Sequence, residues 1–109
     1  MNVHQTDVAV IGAGPVGLFC VFELGMVGLR CHVFDALSAV GGQCVALYPE
    51  KPIYDIPGYP MVEAQQLIDR LAEQAAPFEP TYHLDHPVTQ LEHLPDGRWR
   101  LANAGGVQV

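Results

Sequence analysis

Three glycines set between two apolar segments constrain the fold of this 109-residue chain more than any other feature. Residues 7–11 form a short, nearly all-apolar run, which is typical of a central parallel strand buried on both faces. Residues 12–17 predict a turn, and residues 18–27 predict a helix that is apolar on all sides and buried between layers. Residues 31–35 predict a second strand, so we expect a parallel strand–helix–strand unit.

The turn of this unit fits the pattern G-x-G-x-x-G, in which each glycine has its own physical role. Gly12 permits a tight turn, Gly14 lets a pyrophosphate approach the backbone, and Gly17 lets the helix pack closely on the strand. The pyrophosphate then lies at the helix N-terminus, where free N–H groups and the helix dipole favour an anion. Pro15 suits this position because a first-turn N–H has no helical partner. The turn therefore predicts a dinucleotide site.

An acidic residue at the end of the second predicted strand completes the pattern. The carboxylate of Asp35 can accept hydrogen bonds from the ribose hydroxyls of an adenosine. Its negative charge also disfavours a ribose 2′-phosphate, so NADP is not expected at this site. The motif does not decide between NAD and FAD.

A second helix and a small β-meander are predicted for the rest of the chain. Residues 62–76 indicate an amphipathic helix, with Leu67, Ile68, Leu71 and Ala75 on one face. Short strands are predicted at 82–84, 88–94, 98–102 and 107–109, with a hairpin turn at 95–97 and another turn at 103–106. The pattern predicts one Rossmann-like, three-layer α/β domain over residues 1–109. Because a strand begins where the chain stops, we expect an incomplete portion of a longer protein.

Composition and charge exclude several classes of function. Half of the residues are hydrophobic and 16% are charged, which indicates a globular chain. A net charge of −7 argues against a nucleic-acid-binding surface. Glu23 and the crowded glycines argue against a membrane helix over residues 8–29, which are otherwise nearly uncharged. A reduced, cytoplasmic protein is the expectation.

The cysteines and histidines show no ligand pattern. The three cysteines form no Cys-x-x-Cys, so neither a disulfide framework nor a zinc ribbon is predicted, and Cys20 and Cys31 are expected to be buried thiols. The five histidines have no metal-ligand spacing, and we predict surface or strand positions for them with no catalytic role.

The segment GGQCVALYPEKPIYDIPGYP, residues 41–60, has neither a helical nor a strand period. Its successive glycines, of which Gly42 is the second, let the backbone pass close to something bulky. Gln43 offers an amide with donor and acceptor groups, and Tyr48 is one of three stiff tyrosines. These parts suit a loop that encloses a flat heterocycle, and they suit equally a loop anchored on the core by its tyrosines.

The pairing of GAGPVG with this loop, followed by the AQQLIDRL helix, resembles the N-terminal FAD-binding part of ferredoxin–NADP reductases of the thioredoxin-reductase-like type. The resemblance extends to about Leu94. It implies a homodimeric flavoprotein that moves electrons between NADPH and ferredoxin through FAD. It also implies that the glycine turn binds pyrophosphate and Asp35 the ribose, that Gln43 and Tyr48 line the flavin, and that Val88 presents its backbone to the adenine.

Two alternatives to a ferredoxin–NADP reductase stay open, one of them another flavoprotein reductase and the other a protein without catalytic activity. Dithiol flavoprotein reductases carry Cys-x4-Cys after their glycine pair, and here Cys44 is followed by Pro49 at the second position, which argues against a disulfide relay. A thioredoxin reductase, whose dithiol lies in a later domain, is one alternative, and a non-catalytic dinucleotide-binding module is the other. No second G-x-G-x-x-G occurs, so NADPH is expected on a domain not contained in these residues. We expect the chain alone to be inactive as a reductase.

Overall fold

A computed structural model describes residues 4–103 of the chain. Two longer helices, a short helix and seven strands alternate along it. In chain order the elements are β1 (Val8–Ile11), α1 (Pro15–Met26), β2 (Cys31–Phe34), α2 (Gly42–Leu47), β3 (Pro52–Ile53), β4 (Val62–Glu63), α3 (Ala64–Ala75), β5 (Thr81–His83), β6 (Val88–His93) and β7 (Trp99–Asn103), with a 3-10 turn at Ala76–Phe78 between α3 and β5.

A parallel sheet in the order β1-β2-β5 forms the centre of the fold. Val33 of β2 pairs with Val10 on one side and with Tyr82 on the other. The predicted strand–helix–strand unit is therefore present, but its first strand lies at an edge of the described sheet. Ile11 is 61% exposed, so the prediction that this strand is buried on both faces is wrong for the described residues.

Helices α1 and α3 pack beside each other on one face of the sheet. Their contact buries Val21 and Ala75 against Val10 and Val33 of the strands. Helix α1 begins at Pro15 rather than at Leu18, because proline fits the first turn of a helix.

The outward side of α1 differs from its prediction. The sequence indicated a helix buried on all sides, whereas Val16 is 85% exposed and Met26 is 63% exposed. The helix is apolar, as predicted, but within the described residues only the side that carries Leu18 and Val21 is buried.

Two predictions about the middle of the chain need correction. The helix predicted at 62–76 begins at Ala64, because Val62 and Glu63 pair with β3 in a short antiparallel ladder. Its predicted apolar face is confirmed by Leu67, Ile68 and Ala75, which are buried. The loop at 41–60 also has structure of its own, since it contains α2 and β3.

The predicted hairpin is confirmed by the antiparallel pair β6–β7, whose turn lies between Leu94 and Arg98. The strand predicted at 107–109 lies outside the described residues, as does most of the turn predicted at 103–106. Within residues 4–103, no helix has the length and hydropathy needed to cross a membrane.

Candidate functional site

The glycine turn between β1 and α1 has a conformation that its glycines require. Gly12 has a φ of +108°, and its N–H donates to the carbonyl of Phe34 at 2.7 Å, which ties the turn to β2. A Cβ at Gly17 would overlap the carbonyl oxygen of Gly12 and touch Val10. The close approach of helix and strand predicted for Gly17 is thus present in the structure.

The outer side of the same turn is open. A Cβ placed at Gly12 or at Gly14 would meet no protein atom within 4 Å. Gly14 is the N-cap of α1 and provides no side-chain hydrogen bond to it, and Pro15 follows in the first turn. The N–H groups in the first turn of this 12-residue helix therefore have no side-chain cap, and they lie beside open space. This arrangement fits an anionic group.

Asp35, at the end of β2, braces this turn. One carboxylate oxygen accepts a hydrogen bond from the N–H of Ala13 at 2.7 Å, and the other accepts one from the N–H of Leu37 at 2.9 Å. A carboxylate offers about four acceptor positions, so two remain for a ligand hydroxyl. The sequence predicted only the ligand role, and it gave no sign of the bond to Ala13.

The second pair of glycines reaches the same place. The N–H of Gly41 donates to the carbonyl of Ala13 at 2.8 Å. A Cβ at Gly42, whose φ is +78°, would lie 3.6 Å from the Cα of Gly14. The start of the tyrosine-rich loop and the glycine turn thus form one continuous glycine-lined surface, which we call the glycine cradle (Gly12, Gly14, Gly41 and Gly42).

The remaining predicted site residues follow the cradle along the chain and have exposed or half-exposed side chains. Gln43 is exposed on α2, and Tyr48 is 65% exposed just after that helix. Val88 begins β6. Two residues before it, the N–H of His86 donates to the carbonyl of Asp35 at 2.9 Å, which ties this part of the chain to the end of β2. No hydrogen bond of the described residues joins Gln43, Tyr48 and Val88 to one another.

Four histidines that the sequence treated as separate residues come together on the sheet. Nδ1 of His32 lies 2.8 Å from Nε2 of His83, and His4 and His86 lie beside them. Burial lowers the pKa of His32, with a smaller effect from His4. Burial also lowers the pKa of His83, followed by the effects of His32, His4 and His86. Aligning β2 and β5 in parallel register would have revealed the pair His32 and His83, but not His4 or His86, which lie outside the strands.

The cysteine predictions are confirmed in part. Cys31 is buried, and burial, together with the neighbouring Cys20, raises the pKa of its thiol. Cys20 is only half-buried. The side chain of Cys44 is outside what the structure describes. Among residues 4–103, no three His, Cys, Asp or Glu side chains are arranged to hold a metal ion.

Comparison with known proteins supports the dinucleotide interpretation. A family model described as an NAD(P)-binding Rossmann-like domain matches residues 10–56, which contain the whole glycine cradle. The chain is 61% identical over 109 residues to a ferredoxin–NADP reductase of Paramagnetospirillum magneticum, and 56% identical over 102 residues to one of Parvibaculum lavamentivorans. These alignments cover 100% and 94% of the chain. They cover only 32% and 30% of the relatives, so the chain spans about a third of their length.

Solved structures show the same fold. A thioredoxin reductase of Lactococcus lactis superposes with a TM-score of 0.80 at 20% identity, over 96% of this chain and 32% of that one. An atypical thioredoxin reductase of Desulfovibrio vulgaris superposes with a TM-score of 0.75 at 27% identity, over 96% of this chain and 33% of that one. The Rossmann-like α/β fold predicted from the sequence is confirmed, and so is the resemblance of this chain to ferredoxin–NADP reductases of the thioredoxin-reductase-like type.

Proposed function

We propose that this chain is the FAD-binding portion of an NADPH-dependent flavoprotein oxidoreductase of the ferredoxin–NADP reductase kind. The observation that carries the proposal is the open glycine cradle at the N-terminus of α1. A Cβ at Gly12 or Gly14 would have no protein atom within 4 Å. The backbone N–H groups of the first turn of α1 lie beside this open space. A pyrophosphate fits such a place because it meets both N–H donors and the positive end of the helix dipole.

Asp35 extends this site toward an adenosine. Its two hydrogen bonds to backbone N–H groups fix the orientation of the carboxylate before a ligand arrives. The lone pairs that remain accept hydrogen bonds from ribose hydroxyls, and their negative charge repels a 2′-phosphate. Val88, at the start of β6, is assigned to the adenine through its backbone, because the chain just before it is bonded to Asp35.

The flavin half of the site is assigned to Gly42, Gln43 and Tyr48. Gly42 lies against Gly14, so a dinucleotide seated on the turn passes directly to the start of α2. Gln43 offers both donor and acceptor groups for the polar edge of a flat ring system, and Tyr48 offers an exposed aromatic face. This second half distinguishes FAD from NAD, for which the turn and Asp35 alone would suffice.

When bound, FAD supplies redox chemistry in which a hydride is accepted from a nicotinamide and electrons are released singly. The residues of this chain bind and orient the cofactor, and none is needed as a nucleophile or general base. Transfer between NADPH and ferredoxin is proposed because the relatives at 56–61% identity are named for it. Since the chain spans a third of those relatives, the NADPH site is assigned to residues outside this chain.

A thioredoxin reductase is the second candidate, because several structural neighbours bear that name. The identities favour the first candidate, since they reach 61% for a ferredoxin–NADP reductase and 27% for the Desulfovibrio enzyme. We include ferredoxin or a similar electron-transfer protein as the partner. A homodimer and a cytoplasmic location complete the proposal, the latter because Cys20 and Cys31 are free thiols.

The test is to incubate the purified chain with FAD, remove free ligand, and record the visible spectrum, with NAD as competitor. Retained flavin bands that excess NAD does not displace are expected. Gly14→Ala should weaken FAD binding about tenfold or more, because the added methyl group occupies the cradle. Asp55→Ala, in the exposed loop, is the control and should bind FAD normally. Preference for NAD would indicate the non-catalytic module instead.

A further inference from the structure

The histidine cluster on the sheet is not explained by the proposed cofactor site. His32 on β2 and His83 on β5 meet through a ring-to-ring hydrogen bond of 2.8 Å. The ring centroid of His4 lies 5.1 Å from that of His32 and 5.4 Å from that of His83. The His83 ring also stacks on Phe34, with centroids 4.5 Å apart and planes 15° apart. Strands β2 and β5 and the segment before β1 are thus brought together by three imidazoles.

We propose that His4, His32 and His83 form a pH-sensitive latch, which holds the N-terminal segment, β2 and β5 together at neutral pH and opens on acidification. The hydrogen bond requires one ring nitrogen to donate and the other to accept. A second proton on the pair leaves two donors facing each other at 2.8 Å, so the bond is lost and two like charges adjoin. A charge on His4 adds to this repulsion.

Among residues 4–103, no acidic side chain is recorded as a partner of His32 or His83. The groups that influence the pKa of His83 are the imidazoles of His32, His4 and His86, and the group that influences His32 is His4. Asp35 is near in the chain, but its carboxylate is directed to the N–H groups of Ala13 and Leu37. Both histidine pKa values lie below the usual value of about 6.5, so an unfolded chain binds protons first as the pH falls. The two histidines therefore leave the free energy of unfolding undiminished above about pH 6.5, and they lower it as the pH falls below that value.

The latch is connected to the cofactor site through the backbone. The N–H of Asp35 donates to the carbonyl of His83 at 3.1 Å, and the carbonyl of Asp35 accepts from the N–H of His86 at 2.9 Å. Opening at His83 therefore releases the backbone of the residue that braces the glycine turn. This connection concerns the chain without ligand, and it holds whether or not FAD is the cofactor.

The first test is urea unfolding of the 109-residue chain between pH 7.5 and pH 5. As the pH is lowered, the equilibrium constant for unfolding is expected to rise. The rise is up to about tenfold per pH unit for each additional proton that the unfolded chain binds. His83→Gln should remove most of this rise. His93→Gln, in the exposed hairpin, is the matched control and should leave it unchanged. A His83→Gln variant that is destabilised equally at every pH would overturn the latch and leave a packing role only.

A second variant keeps the proposal testable if His83→Gln does not fold. His4→Gln removes one neighbouring imidazole from the half-exposed start of the described chain. It should shift the midpoints of His32 and His83 upward when their ring protons are titrated by NMR. Unchanged midpoints would overturn the proposal. In the unmodified chain, protection of the Ala13 amide from hydrogen exchange should fall with the same midpoints, and constant protection would refute the connection to Asp35.

Discussion

The glycine turn and the tyrosine-rich loop contribute to one proposed site, yet the chain holds them in opposite ways. The turn is fixed by backbone hydrogen bonds to Phe34 and to the carboxylate of Asp35, and it packs on β1 through Gly17. The loop has its tyrosines turned outward, with Tyr48 at 65% and Tyr54 at 71% exposure. The proposed phosphate half is thus held by hydrogen bonds within the chain, whereas the tyrosines of the proposed flavin half are mostly exposed.

The strongest test of this contrast adds one methyl group to each of two glycines of the same motif, Gly14 in the turn and Gly17 in the first turn of α1. Gly17→Ala forces a Cβ into the carbonyl of Gly12, so helix and strand must separate. We expect a loss of about 3 kcal/mol or more in the free energy of unfolding, measured with urea. Gly14→Ala meets no protein atom within 4 Å and should change stability by less than about 0.5 kcal/mol. If Gly14→Ala and Gly17→Ala lower the free energy of unfolding equally, the close packing of helix on strand at Gly17 does not stabilise the turn.

Removing the brace should have the next largest effect. Asp35→Ala leaves the N–H groups of Ala13 and Leu37 without their acceptor, and Ala13 is fully buried. We expect a loss of about 2 kcal/mol in unfolding free energy without any ligand present. Asp55→Ala, in the exposed loop, serves as the control and should be nearly neutral. If the two variants are equally stable, the carboxylate has a ligand role only.

A change in the loop should have the smallest effect on stability and a measurable effect on binding. Tyr48→Leu removes an exposed ring, so the free energy of unfolding should change by less than about 0.5 kcal/mol. Loss of aromatic contact with the flavin should weaken FAD binding by about 1 kcal/mol, or roughly fivefold. Tyr54→Leu is the matched control, and calorimetric titration with FAD compares the two. A Tyr48→Leu variant that unfolds more readily would show that the loop is anchored on the core instead.

The same contrast explains how far the sequence predicted the site. The strand–turn–helix unit follows from local patterns, because glycine spacing, apolar runs and a terminal acid are each visible within 30 or so residues. The bond from Asp35 to Ala13 joins residues that follow two neighbouring strands, β2 and β1. Such a contact depends on the parallel register of β1 and β2, which hydrophobic periodicity does not specify.

The loop and the histidines show a second limit. The short helix at Gly42–Leu47 and the two-residue strand at Pro52–Ile53 are too brief for any periodicity to appear. His32 and His83 are 51 positions apart and meet only because β2 and β5 are neighbours in the sheet. Ligand spacing counted along the chain therefore missed the one histidine cluster that the described residues contain.

The outward side of α1 has a consequence for how the isolated chain behaves in solution. Val16, Met26 and Val27 are 63–85% exposed, and Glu23 is the only charged side chain in this helix. In two molecules that approach through this side, Glu23 is the one charge that α1 contributes, and the net charge of −7 opposes the approach at longer range. Added salt screens that charge over a Debye length of about 10 Å at 0.1 M. Light scattering of the isolated chain should therefore increase with ionic strength, the reverse of salting-in.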